Sequence, residues 1–83
     1  MKLTQRHIDI TTQVLRGATL QATGQVHGIG KERVRQIVAR ALRITFGIGP
    51  GSLQAEIGSP WSMSKADLHL HADRIISRMD VRE

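Results

Sequence analysis

The 83-residue sequence contains no cysteine and no tyrosine, and Phe46 and Trp61 are its only phenylalanine and tryptophan. Without cysteine the chain can form neither a disulfide nor a cysteine-ligated zinc or iron–sulfur site, which suits a reducing compartment such as the cytoplasm. Two aromatic residues provide too few stacking platforms for the folds that recognise single strands and RNA. A chain of this length also has too little interior for both a substrate cleft and a filled core, so we do not expect an enzyme.

Long apolar runs are absent as well. No run approaches the roughly 18 residues that a membrane-spanning helix needs, and the first seven residues lack the apolar stretch of a signal peptide. The serines have no flanking pattern of a catalytic nucleophile. We therefore expect a cytoplasmic protein with no membrane partner, no small-molecule substrate and no cofactor.

A metal site is not expected either, although His69, His71 and Asp73 lie close together in the sequence. On a helix the two histidines would point about 200° apart, so they cannot bind one ion. His69 and Asp73 can share a helix face, but they supply two ligands where zinc needs three or four.

Positive charge is concentrated in the first half of the chain. The formal net charge is +5, and residues 1–46 hold eight bases and two acids whereas residues 47–83 hold four bases and five acids. Because the excess of positive charge lies entirely in the first segment, we expect a polyanionic partner to bind there. Duplex DNA fits this expectation better than RNA, given the few aromatic residues.

Capping residues and glycines predict the helices. Thr4 caps a first helix that stops at Gly17, and Thr19 caps a second helix, residues 20–27, that ends at Gly28. A third helix begins near Gly30, because apolar residues then recur with the period of one helical face. Residues 47–60 hold four glycines and both prolines, which leaves room for one short helical turn at most.

The predicted fold is a small all-α domain. Residues 1–46 form a helix-turn-helix unit of three helices, residues 47–60 form a Gly/Pro-rich connection, and residues 61–83 contain a C-terminal helix capped by Ser64. Two short helices joined by a tight glycine-containing turn, with the second helix basic on its outer face, are the elements of a DNA-binding helix-turn-helix. Gly24, four residues before the turn, predicts that the two helices cross closely there, so that only a small side chain fits.

The run from Thr19 to Ile37, TLQATGQVHGIGKERVRQI, followed by Ala-Leu-Arg at residues 41–43, resembles region four of the primary bacterial sigma factors. The resemblance covers roughly residues 4–45 and implies a reader of promoter DNA. Thr23 and His27 stand where that family usually has apolar residues, and Gly30 stands where it usually has a serine or threonine cap. The length excludes a complete sigma factor, so the resemblance implies a free-standing reader of similar shape.

The outer face of the third helix predicts the DNA contacts. Residues at its N-terminal end enter the major groove in this motif, where Glu32 can accept from cytosine, Gln36 can pair with adenine, and an arginine can bind guanine. The predicted base contacts are Lys31, Glu32, Arg33, Arg35 and Gln36, and the predicted phosphate contacts are Arg16, Thr19, Arg40 and Arg43. The alternative is a solvated helix face on which Glu32 pairs with Arg35 or Gln36.

The C-terminal helix carries an apolar stripe with two interpretations: it covers the core of its own chain, or it pairs two copies. The stripe consists of Leu68, Ala72, Ile75, Ile76 and Met79. We favour the dimer, since small DNA-reading domains gain both affinity and core by pairing.

From these observations we expect a bacterial, plasmid or phage transcriptional regulator, a repressor that binds an inverted-repeat operator as a homodimer. The alternative is a sigma-like protein that binds RNA polymerase and modulates promoter use, because in the resembled family this region also docks on the polymerase.

Overall fold

The computed structural model describes residues 3–79, and within this range the chain contains helices and no strand. The elements in chain order are α1 (Gln5–Leu15), α2 (Leu20–His27), α3 (Lys31–Phe46), α4 (Leu53–Ile57), a 3₁₀ turn (Pro60–Ser62), α5 (Lys65–Leu70) and α6 (Ala72–Met79). The predicted all-α fold is confirmed. Residues 1–2 and 80–83, which the sequence analysis assigned to the first and last segments, lie outside the described residues.

The predicted helix starts are confirmed by their hydrogen bonds. Thr4, Thr19 and Ser64 each accept a hydrogen bond from the backbone N–H three residues further on, at 3.2, 3.0 and 3.2 Å. These bonds satisfy backbone donors that have no partner within the helix. At the end of α2, Gly28 adopts the left-handed conformation with φ of 72°, which glycine enters without steric cost.

The C-terminal helix differs from the prediction, because it is divided into α5 and α6 at His71. The local sequence has neither glycine nor proline at this point. Tertiary contacts hold both pieces: His69 Nδ1 lies 2.9 Å from the carbonyl oxygen of Leu15 at the end of α1, and Ile75 of α6 is buried in the main core. We attribute the division to these two contacts.

Two groups of buried side chains make up the interior. The smaller group joins α1 to the first half of α3 through Ile10, Val34 and Ile37. The larger group joins α1, the second half of α3, α4 and α6, and its buried members are Leu3, Ile8, Leu15, Ala41, Leu42, Phe46, Leu53, Ala72, Ile75 and Met79. The C-terminal half is therefore part of the same interior as the helix-turn-helix and holds α3 in place.

The predicted dimer stripe lies largely in this interior. Ala72, Ile75 and Met79 are buried, and Leu68 and Ile76 are half-buried and pack against the larger group. In the single chain these side chains cover the chain's own core, which was one of the two interpretations. Their contact with a second copy stays a prediction, and for Ile75 it would require the core to open.

Candidate nucleic-acid interface

The turn between α2 and α3 depends on a close backbone contact at Gly24. A Cβ atom built on Gly24 would lie 2.4 Å from the carbonyl oxygen of Ile29, and the backbone N–H of Ile29 donates to the Gly24 carbonyl at 2.9 Å. Any side chain at position 24 would collide with the backbone of the turn. The predicted close packing at Gly24 is confirmed, and its contact atoms belong to the turn that leads into α3.

Helix α3 presents a continuous polar face to solvent. Val34 and Ile37 are buried against α1, which turns the opposite side of the helix outward. The seven exposed polar side chains on α3 are Lys31, Glu32, Arg33, Arg35, Gln36, Arg40 and Arg43. The helical period thus correctly predicts which residues are exposed, and their contacts with DNA stay predictions.

The predicted base-reading residues are partly paired with each other. Arg35 Nε lies 3.1 Å from both carboxylate oxygens of Glu32, and its guanidinium also forms an ion pair with that carboxylate. The hydrogen bond from Arg35 lowers the pKa of Glu32, so the carboxylate is ionised at neutral pH and acts only as an acceptor. Arg33 Nη1 lies 3.5 Å from Gln36 Oε1. Such pairs hold the side chains in place on the exposed face of α3.

Two of the predicted phosphate contacts, Thr19 and Arg16, differ in their surroundings. Thr19 is exposed at the N-terminus of α2, where backbone N–H groups favour an anion. Arg16 instead donates to Asp73 Oδ1 at 2.8 Å and joins the end of α1 to α6. A phosphate contact by Arg16 must share or break this exposed ion pair, which is a small cost.

Arg6 and His7, at the start of α1, lie beside α3. The sequence pattern did not lead us to predict a role for them. Partial burial and the positive charges of Arg33, Arg40 and Arg6 lower the pKa of His7. Arg6 Nη2 donates to the carbonyl oxygen of His27 at 3.1 Å. The spacing of His7 with Ile10 and Val14 places all three on one side of α1, so the sequence pattern contained the signal for this position.

A second feature missed from sequence is an apolar cleft at the C-terminal end of α3. Ile48 is 93% exposed and Trp61 is 60% exposed on its walls. The cleft has a volume of about 420 Å³ and is lined by Arg43, Phe46, Gly47, Ile48, Gln54, Pro60 and Trp61. Large apolar side chains exposed together, rather than singly, are typical of contact surfaces.

His69 and Asp73, the pair that can share a helix face, both have structural partners. His69 bonds to the end of α1 and Asp73 pairs with Arg16. In the described part of the chain no three His, Asp or Glu side chains come together as a metal site. Between Leu3 and Met79 no helix has both the length and the apolar character needed to cross a bilayer.

The departures from the sigma-like pattern are visible in the structure. Thr23 is buried, and its hydroxyl has no hydrogen-bond partner. Gly30 occupies the N-cap of α3 without a side-chain hydrogen bond to the first turn. These two departures, at Thr23 and Gly30, are deficits of stability rather than changes of the exposed face of α3.

Comparison with known protein families gave a match. The model of the family described as Sigma-70, region 4 matches residues 2–43, just over half of the chain. Comparison with curated proteins and with solved structures gave no significant match. The matched segment contains α1, α2 and most of α3, including the exposed polar face, and ends before the apolar cleft is complete. The chain therefore belongs to the Sigma-70 region 4 family of helix-turn-helix DNA-binding domains.

Proposed function

We propose that this protein is a sequence-specific regulator of transcription that inserts α3 into the major groove of double-stranded DNA and represses by covering a promoter. The observation that carries the proposal is the combination of a close-packed helix-turn-helix with a polar α3 face on which five of seven exposed side chains are cationic. Charge attracts DNA of any sequence, whereas side chains aimed at base edges give discrimination. Such a protein works in the cytoplasm of a bacterium.

The N-terminal half of α3 supplies the base contacts in this proposal. Gln36 has the amide geometry that pairs with adenine. Glu32 and Arg35, already paired with each other, can accept from a cytosine amino group and donate to a guanine respectively. Arg40 and Arg43 lie about one and two helical turns beyond Gln36 and bind phosphates together with Thr19 at the start of α2.

Substitutions on α3 are expected to separate these two roles. Gln36→Ala should reduce discrimination at one or two base pairs by about 1–3 kcal/mol, because only base contacts distinguish sequences. Arg43→Ala should weaken binding to all sequences alike and reduce the slope of log affinity against log salt by about one. Fluorescence anisotropy with a selected duplex and a scrambled duplex, over a range of salt, measures both effects. The opposite pattern would mean that α3 is rotated in the groove.

The proposal itself is tested by selection from a random duplex library. We expect one sequence family to be enriched and then protected in a footprint. If no sequence binds better than bulk competitor DNA at physiological salt, specific regulation is wrong even though the chain binds DNA.

We further propose that two copies bind one operator as a homodimer. A single copy makes few phosphate contacts, and two copies related by a two-fold axis would place their α3 helices in successive major grooves about 34 Å apart. The operator should then be an inverted repeat. Because Ala72, Ile75 and Met79 are buried, a second copy would contact the exposed large apolar side chains of the C-terminal half, Ile48, Trp61 and Leu70. Leu68 and Ile76 are half-buried against the larger group.

The dimer is tested by sedimentation of the intact chain at micromolar concentration. We expect a species of twice the 9.2 kDa chain mass, and an emission shift of the single tryptophan, Trp61, towards shorter wavelength as protein concentration rises. Trp61→Ala and Ile48→Ser should shift the mass towards one chain. A 9.2 kDa species that binds its operator as one copy with full affinity would contradict the dimer.

The second candidate function is the binding of RNA polymerase. Such docking would use the surfaces of α1 and α2 rather than α3, and Val26 on α2 is 71% exposed. Copurification of the protein with polymerase in the absence of DNA, and its loss in Val26→Ser, would support this candidate. Without such copurification the DNA-binding regulator stands alone.

A further inference from the structure

Four basic side chains meet where the start of α1 lies beside α3. On α1, His7 lies one helical turn before Ile10 and on the same side. On α3, Arg33 and Arg40 lie at positions i−4 and i+3 from Ile37, which places these exposed side chains at the edge of the buried side of the helix. Ile10 and Ile37 belong to one buried group, so the two sides face each other. We call the result the flank cluster, which consists of Arg6, His7, Arg33 and Arg40.

Helix α2 anchors the cluster. Arg6 Nη2 donates to the carbonyl oxygen of His27, the last residue of α2, at 3.1 Å. This bond joins the start of α1 to the end of α2, next to the turn that leads into α3. The position of the cluster relative to the helix-turn-helix is thus determined by all three helices.

The charges around His7 disfavour the protonated, cationic form of its imidazole. The groups that act on it are Arg6 from its own helix and Arg33 and Arg40 from α3, and together with partial burial they lower its pKa. From α2 the nearest titratable neighbour of the cluster is His27, whose carbonyl is taken by Arg6. The neutral form of His7 is therefore favoured near neutral pH. An anion that offsets the three guanidinium charges would favour protonation of the imidazole.

We propose that the flank cluster binds a backbone phosphate of DNA and that His7 takes up one proton from solvent as the phosphate arrives. When α3 lies in the major groove, the sides of the helix face the phosphates of the two strands, and Arg33 and Arg40 lie on one such side. The phosphate accepts a hydrogen bond from the imidazolium, and no bond of the DNA is broken. This inference rests on the DNA-binding function proposed above.

The coupling makes DNA affinity depend on pH with a definite sign. The pKa of His7 is below its ordinary value of 6.5 in the free protein, and the bound phosphate raises it. Between the free and bound pKa values the complex carries one proton more than the free protein, so affinity rises as pH falls, by at most about tenfold per pH unit. Above both values affinity no longer depends on this group.

The test compares DNA affinity at several pH values between about 5.5 and 8 for three proteins: wild type, His7→Gln and His71→Gln. The probe is a short mixed-sequence duplex at low salt, and circular dichroism at each pH verifies the fold. Wild type and His71→Gln should bind several-fold more tightly at the acidic end. His7→Gln should show a nearly flat profile, because it lacks the group that takes up the proton. His71→Gln is the matched control, because His71 lies between α5 and α6 and is not part of the flank cluster.

A second measurement identifies the ligand. The pKa of His7 is followed by NMR of its ring in the free protein, with millimolar inorganic phosphate, and with the duplex. We expect the duplex to raise this pKa by about one pH unit or more and inorganic phosphate to raise it much less. An equal rise with inorganic phosphate would assign the site to free phosphate ions and overturn the DNA assignment.

The remaining outcomes separate this inference from the proposed function. If His7→Gln binds the duplex with the pH profile of wild type, the inference is wrong and the DNA-binding function survives. If wild type binds no duplex at any pH or salt concentration, both are wrong.

Discussion

Replacing Gly24 by alanine is expected to destabilise the protein by about 3 kcal/mol. Because a domain of this size has only a few kcal/mol of stability, most of the molecules should then be unfolded. The added Cβ atom would lie 2.4 Å from the Ile29 carbonyl oxygen. The atom that the Cβ meets is backbone, so the contact is relieved only if α2 moves away from the turn and α3. Urea unfolding followed by circular dichroism measures the loss, and DNA affinity should fall with the folded fraction.

Gly30→Ser is the matched control, because Gly30 lies on the other side of the same turn, at the N-cap of α3. A Cβ atom built on Gly30 meets no atom within 4 Å, and the φ of −76° at Gly30 suits any residue. Serine there adds the missing cap of α3, so we expect equal stability or a gain of up to about 1 kcal/mol. A Gly24→Ala protein as stable as wild type would show that α2 and the turn are not in close contact.

Replacing Ile75 by alanine is expected to lower the free energy of unfolding by about 2–5 kcal/mol. The side chain is fully buried in the group that also contains Phe46 and Leu53, and its truncation leaves a cavity between α6 and α3. Because the cavity lies within one chain, the loss should be the same at every protein concentration. Urea unfolding at two concentrations a hundred-fold apart, on the order of 1 and 100 µM, tests this.

Leu70→Ala provides the comparison on the neighbouring helix. Leu70 is 77% exposed, so its truncation should change the stability of the single chain by less than about 0.5 kcal/mol. If Leu70 lies in the dimer contact, its effect should appear only at concentrations where wild type associates. An Ile75→Ala loss that vanished on dilution would instead place Ile75 between two chains and contradict its position in the core.

The sequence by itself determined the helix-turn-helix and its exposed face. Caps at Thr4, Thr19 and Ser64, the left-handed Gly28 and the apolar period of α3 are local signals, because each acts through contacts within about one helical turn. The exposed face of α3 follows from its buried face by helical geometry alone. The pairing of Glu32 with Arg35 is also local and was one of the two interpretations open at that level.

The tertiary structure alone decided what depends on residues distant in the chain. The bonds of Arg6 with His27, Arg16 with Asp73 and His69 with Leu15 join positions 21, 57 and 54 residues apart. No local pattern specifies where such groups meet. For this reason the division at His71, the burial of Ile75 in its own core and the flank cluster around His7 became visible only once the helices were packed, since packing is governed by the total burial of apolar surface rather than by any single segment.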